Sequence, residues 1–384
     1  MQNRILQSNE NQESVLLFRK CMTPRFGYLL RTCRPSVIES AAATFDDLQL
    51  EFIQKKIDLA NDELPEIKDL LFLSTKNGGF GLLSAAAISH EAWFGAQASA
   101  APHLRSHVPA ERKSSAAAAG EGKEAKADLT PRAVETNSAR DAIITSTGNP
   151  DKIKKLVPAA NVDVLAFYEN TPKACRHLQA KISDERSDHS LESLLEQAPQ
   201  KEQALRRAAK ADKAALWHRA IPARRALCLL DDEYRMAFRL LFGLSPVKES
   251  RMPERCPAHR CNADLSVDPW HVIKCPLLGT WHARRRAVCN TIQSWVQELG
   301  GTCRRRLEKK IPGEERKRPD GDLSFGSSRF MFDVSITHPL CPSYVADAAS
   351  SSLAAAKARE IIKVRKYKDF EGKFNCTFFP AVVE

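Results

Sequence analysis

Apolar residues recur at helical spacing through the first seventy positions. Val15, Leu16 and Phe18 open the pattern. Phe45, Leu48, Phe52 and Leu59, with Ile53 and Ile57 beside them, continue it. Pro24, Pro35 and Pro65 punctuate the run, so 15–72 reads as several helices. The stretch Asn77-Gly78-Gly79-Phe80-Gly81 must break any helix, because Asn-Gly and Gly-Gly are strong turn signals. An Ala-rich helix is predicted from Ser84 to about Ala98, with Trp93 and Phe94 on it.

The pattern then changes. Residues 99–139 hold few branched apolar positions and a run of Ala, Gly, Glu and Lys, which reads as a flexible low-complexity insertion. Helical spacing resumes near Ala142 and is strong at Leu191–Ala198 and Asp231–Leu244. A Pro-, Cys- and His-rich stretch fills 246–281, and a helix is predicted from about Trp281 to Leu299. In the tail, Phe330–Ile336 is strand-like, Ala346–Tyr367 helix-like and Cys376–Val383 strand-like again, which implies an α/β domain. The predicted organisation is therefore a mostly α N-terminal region (1–98), the insertion (99–139), a helical linker region (140–245), a small knuckle with a basic helix (246–300) and a C-terminal α/β domain (301–384). No internal repeat of 20 to 50 residues is visible.

Composition narrows the class. Hydrophobic residues make up 43%, enough for packed cores. The formal charge of +11 favours a polyanionic partner, nucleic acid first. Met1–Lys20 is polar, with no apolar signal core, and no run of roughly 18 apolar residues occurs. The expectation is an intracellular protein, nuclear or cytoplasmic, with no membrane partner. Its eleven cysteines are then expected as thiols rather than disulfides.

Four cysteine and histidine positions carry chemistry. Cys256, Cys261, His271 and Cys275 form Cys-x4-Cys-x9-His-x3-Cys, with Pro257 and Pro276 beside ligands. Zinc takes four N or S ligands in a tetrahedron, commonly as two pairs from short turns. His259 lies inside the first pair, so the fourth ligand is either Cys256 or His259. Around this cluster, 251–318 holds fifteen Lys/Arg against seven Asp/Glu, including Arg284-Arg285-Arg286 and Arg304-Arg305-Arg306. Such a concentration suits phosphate neutralisation, and equally a solvated basic helix face.

Two aspartates follow. Asp320, after Pro319, and Asp333, within Phe332-Asp333-Val334, flank the turn signal Gly326-Ser327-Ser328, so a hairpin would bring them together. On a strand, Asp333 faces away from Phe332 and Val334. Two converging carboxylates would suit Mg²⁺, which prefers oxygen ligands and keeps part of its water shell. Solvated aspartates beside a hairpin are the plainer alternative.

Taken in order, these features resemble the C-terminal portion of a non-LTR retrotransposon reverse transcriptase that ends in a restriction-enzyme-like endonuclease. Pro24–Leu30 through Arg34-Pro35, then Phe45-Asp46, resembles the thumb region. Gly78–Leu82 with Ser84-Ala85 and the Ala-rich helix resembles the segment after it. The Cys/His cluster with His282 and Arg284–Arg286 resembles the zinc knuckle. Arg318-Pro319-Asp320, Phe332-Asp333 through His338-Pro339, and Lys363–Tyr367 resemble the nuclease.

The resemblance implies a PD-(D/E)xK-type fold at the C-terminus, structural Zn²⁺, catalytic Mg²⁺ on Asp320 and Asp333, and nicking of target DNA for retrotransposition, with DNA and element RNA as partners. His282, Arg284, Arg285, Arg286, Arg304, Arg305 and Arg306 are the expected nucleic-acid contacts. Ser335 stands where the superfamily pattern has its lysine, so Lys363 or Lys366 on the following helix is the expected catalytic lysine. No Ala-Asp-Asp polymerase motif occurs, so the sequence is not expected to polymerise. A catalytically inactive remnant that only binds nucleic acid, and a zinc-dependent interaction protein of unrelated descent, are the alternatives.

Overall fold

The computed structural model describes residues 10–104, 131–147, 150–159, 162–223, 227–248, 251–305 and 318–384. They are mostly helical, with one four-stranded mixed sheet near the C-terminus. Two compact units form, one from 1–197 with 215–235 and the other from 198–214 with 236–384. All eleven cysteines are free thiols. Among the described residues, no helix is long and apolar enough to cross a membrane.

The first unit is helical throughout. Its main helices are α1 (Asn11–Leu17), α2 (Thr23–Thr32), α3 (Pro35–Ile57), α4 (Glu63–Phe72), α5 (Ala85–Leu104), α6 (Pro131–Ser146), α7 (Val164–Asn170) and α8 (Leu178–Gln197). Proline suits the first turn of α3, where its missing N–H would be unbonded anyway. The apolar stripe read from the sequence buries Phe45, Phe52, Ile53 and Ile57, while Leu48 lies outside it and is exposed. Asp46 accepts from the N–H groups of Ala85 and Ala86 and from the Ser84 hydroxyl, so a carboxylate from α3 caps the start of α5. The glycine stretch turns as predicted. At Gly79 a Cβ would lie 2.2 Å from the Leu73 carbonyl oxygen, so only glycine fits.

The helices flanking the predicted insertion run further than the sequence pattern suggests. Helix α5 continues to Leu104 and α6 already begins at Pro131; the rest of 99–139 lies outside the described residues. Trp93, Phe94, Ala98 and Ala101 share one core with Ala139, Ile143, Tyr168, Leu178 and Ile182. Helices on both sides of the segment thus belong to one unit, and the 98 and 140 boundaries do not separate two cores.

The second unit carries the knuckle and the sheet. Its elements include α9 (Gln200–Ala209), the end of α10 (Asp231–Leu241), the single turn α11 (His271–Lys274) and α12 (Thr280–Glu298). Strands β1 (Thr302–Arg305), β2 (Gly321–Phe325) and β3 (Ser328–Ile336) follow, then α13 (Val345–Ser350), α14 (Ala354–Lys366), α15 (Phe370–Phe374) and β4 (Thr377–Val383). The sheet order is β1-β2-β3-β4, antiparallel except for the parallel β3–β4 pair. One face packs Phe332, Val334 and Ala381 against Val288, Cys289 and Ile292 of α12. The other packs Met331 and Phe378 against Tyr367 and Phe370. Helix expected over Ala346–Tyr367 is two helices. The serine run 350–352 interrupts it, serine side chains competing for backbone hydrogen bonds, and Leu353 turns left-handed at φ 59°.

Candidate functional site

The Cys/His cluster is assembled by two short turns. Cys256 donates its N–H to the Ala263 carbonyl and Leu265 donates to Glu254, closing a small hairpin around Arg255 and Asp264. Cys261 returns on the Ala258 carbonyl, with Arg260 left-handed at φ 67°. The second pair is simpler. His271 and Cys275 are four apart, and α11 places them on one face. The Cys256 and Cys275 sulfurs are 3.7 Å apart, and Cys261 Sγ is 3.1 Å from His271 Nε2. All four ligand atoms lie within 4.8 Å of one another. Zn–S bonds of about 2.3 Å in a tetrahedron put sulfurs about 3.8 Å apart, so the cluster fits one zinc.

Of the two candidates for the fourth ligand, Cys256 is in the cluster and buried, whereas His259 is exposed. Burial pushes the Cys256 thiol up. Burial acts the same way at Cys275, but the Leu277 N–H, the Cys256 thiol and the Leu278 N–H together outweigh it and hold that thiol below its ordinary range. Donors aimed at a sulfur favour the thiolate that a metal requires.

The acidic site lies at the sheet. Asp320 sits immediately before β2, donating its N–H to the Phe332 carbonyl at 2.8 Å, while its Oδ2 accepts from Val334 N at 2.7 Å. Gly321 makes this possible, because a Cβ there would lie 2.5 Å from the Phe332 ring. Asp333 is central in β3, on the face opposite Phe332 and Val334, and is 1% exposed. Lys363 and Tyr367 are four apart at the end of α14, so both reach it. Lys363 Nζ is 2.7 Å and Tyr367 OH 2.8 Å from Asp333 Oδ2. Lys366 is not part of this contact; its ammonium lies 4.9 Å over the Tyr367 ring.

Arg285 from α12 completes the cluster. Its Nε donates to Asp320 Oδ2 at 3.0 Å, and its Nη2 is 2.7 Å from Asp320 Oδ1 and 3.5 Å from Asp333 Oδ1. Both carboxylates thus converge on one nitrogen atom. Burial pushes the Asp320 carboxyl above its usual range, against the Val334 and Arg285 hydrogen bonds, and the Asp333 charge adds to the rise. For Arg285, burial works against the charge, but its hydrogen bond and attraction to Asp320 outweigh it. Burial also lowers the Lys366 ammonium, and the neighbouring Lys363 charge adds to this.

These positions revise the basic triplet. Three consecutive residues on a helix point about 100° apart and cannot share one face. Arg284 donates to the Ile273 carbonyl at 2.6 Å, inside the knuckle; Arg285 holds the carboxylates; only Arg286 is exposed. His282 is exposed beside Trp281, and Arg304 is exposed on β1. The Arg305 side chain and the whole of Arg306 lie outside the described residues.

Tyr367 and His338 lie in two of the stretches that resemble the nuclease, but no role was expected of either; Tyr367 reaches the acidic cluster, and His338 lies elsewhere in the second unit. Tyr367 is fully buried with its hydroxyl on Asp333, and the i to i+4 spacing from Lys363 is the signal that relates them. His338 lies against Trp270, with ring centroids 5.4 Å apart, and its Nδ1 accepts from Leu340 N. That bond fixes the neutral ring with its proton on Nε2. Burial, with the Lys274 and Arg284 charges, lowers its pKa to about 4. Searches against known proteins found no family model and no curated protein that matches the chain.

Proposed function

We propose that the C-terminal unit is a restriction-enzyme-like, metal-dependent DNA endonuclease with an adjoining zinc knuckle, and that the chain is part of a non-LTR retrotransposon reverse transcriptase. The observation that carries this reading is the convergence of Asp320, Asp333 and Lys363, from a strand start, the next strand and the following helix. Two carboxylates on a hard-oxygen site suit Mg²⁺, and a positive group already sits between them. Asp320 and Asp333 would hold the cation, which when bound supplies charge neutralisation at phosphate oxygens and an acidified water. Asp333 orients the Lys363 ammonium through a 2.7 Å contact, and Tyr367 donates its hydroxyl to the same carboxylate oxygen at 2.8 Å. Lys363 would then face the phosphate or the attacking water. Cys256, Cys261, His271 and Cys275 would hold structural zinc, and Arg286, Arg304 and His282 would meet the DNA or RNA backbone.

The test is nicking of supercoiled plasmid by the full chain with Mg²⁺. Asp333→Ala should abolish cleavage and leave DNA binding intact. Undiminished cleavage in that variant would refute the assignment. A nucleic-acid-binding remnant without activity is the second reading, favoured by the ion pairs that Arg285 already makes with both carboxylates.

A further inference from the structure

We propose that Arg285 is a built-in counter-cation that occupies the divalent-metal position between Asp320 and Asp333, so that metal loads only as the guanidinium leaves. The inference rests on the nuclease reading above and adds a regulation to that site. Geometry comes first. The Oδ1 atoms of both aspartates point at one Arg285 nitrogen, at 2.7 and 3.5 Å. Mg²⁺ bonds oxygen at about 2.1 Å, so the ion would stand where that nitrogen stands, with a small inward shift of the carboxylates. Both cannot be there together.

Charge balance points the same way. Among the described residues, the ion pairs join two carboxylates to one guanidinium and the Lys363 ammonium, four charges that sum to zero. The groups are largely enclosed, with side-chain exposures of 12% for Asp320, 2% for Asp333, 22% for Arg285 and 18% for Lys363. Adding a divalent ion without displacing Arg285 would leave two excess positive charges in a half-buried site, with Lys366 and Arg318 nearby. A DNA phosphate relieves this. Arginine binds phosphate through the same planar fork that it offers a carboxylate. Arg285 is the less enclosed partner and sits on the helix whose next residue, Arg286, is exposed. Arriving DNA would draw the guanidinium onto a phosphate and open the gap for metal, which couples metal loading to substrate.

The experiment is a titration of the zinc-loaded full chain with Tb³⁺, a hard oxygen-seeking ion. Its luminescence would be sensitised by Tyr367, whose hydroxyl lies 2.8 Å from Asp333. Arg285→Gln should bind Tb³⁺ at least ~10-fold more tightly than wild type, the effect of removing one adjacent like charge. Arg285→Lys keeps the charge and should stay within about threefold of wild type on the same argument. Asp333→Asn should lose the signal in either background. Wild-type protein gives a second readout if Arg285→Gln does not fold. In ¹⁵N-arginine spectra, the Arg285 Nε–H should be slow to exchange and should lose that protection at saturating Mg²⁺. Unchanged or weaker Tb³⁺ binding in folded Arg285→Gln, with Asp333→Asn still abolishing it, would overturn the proposal and leave the metal site standing. An Arg285 Nε–H that stays protected with Mg²⁺ bound would also overturn it. Tb³⁺ binding that ignores Asp333→Asn in every variant would remove the metal site itself, and the proposal with it.

Discussion

Tyr367→Phe removes one oxygen and keeps the ring. The ring stacks on Phe378 at 4.4 Å and meets Phe370 edge-on at 4.9 Å, and a phenylalanine preserves both contacts. What disappears is the hydroxyl donor, 2.8 Å from Asp333 Oδ2 in a fully buried position. A hydrogen bond to a charged group contributes about 1.5–3 kcal/mol. Asp333 Oδ2 keeps Lys363 at 2.7 Å, so the carboxylate is not orphaned and the loss should fall near the lower end. The effect is local to β3, so the assay is amide hydrogen exchange of the full chain, read by mass spectrometry. A loss of about 1.5 kcal/mol speeds exchange of the protected β3 amides roughly tenfold, and about 3 kcal/mol would speed it roughly 150-fold. Peptides from α5, in the other unit, should not change. Exchange of β3 within twofold of wild type would mean that the tyrosine–carboxylate bond contributes nothing, and the description of the site would be wrong at its centre.

Zinc should bind at one equivalent per chain. Cys261→Ser should lose most of it and His259→Ala none, by metal analysis; chelation should unprotect 251–279, since site and fold form together. His338 sets an acid window. Its folded pKa of about 4 lies below the ordinary 6.5, so the unfolded chain takes up the proton first, and stability present above pH 6.5 is lost as pH falls toward 4. In zinc-saturated protein, His338→Asn should lose less Tm between pH 7 and pH 5 than wild type; parallel losses would contradict this. Arg286→Ala and Arg304→Ala should each lower the slope of log affinity for DNA against log salt by about one, and an unchanged slope would mark them as merely solvated.

Much of the second unit was legible because its residues report directly on local geometry. The Cys/His spacing marked the four residues whose ligand atoms come together, Gly326-Ser327-Ser328 marked the hairpin, and the alternation around Asp333 put its carboxylate on the face opposite Phe332 and Val334. Strand β1 went unread, because the four residues Thr302–Arg305 carry little alternation; β2 was implied only as the first arm of the hairpin, without bounds of its own. The role of Arg285 was unreadable for a different reason. A triplet of arginines looks like one patch in sequence, and only the helical rotation, with the sheet beside it, sends three neighbours to three different environments. The choice between Lys363 and Lys366, and between Cys256 and His259, likewise depended on which side chain faces inward. Continuity of the first unit across 99–139 was hidden because Ala-rich helices carry few branched apolar positions to mark their buried side.

The most direct test of the account is the Mg²⁺-dependent nicking rate of the zinc-loaded full chain, measured beside its DNA affinity, for wild type and Asp320→Asn. Wild type should nick supercoiled plasmid. Removing one of two carboxylate anchors should cut the rate by roughly 100-fold or more, a loss of about 2.7 kcal/mol or more in transition-state stabilisation, with DNA affinity within about twofold of wild type because the exposed arginines are untouched. Equal nicking by both proteins, or none by either with zinc and DNA binding intact, would contradict it.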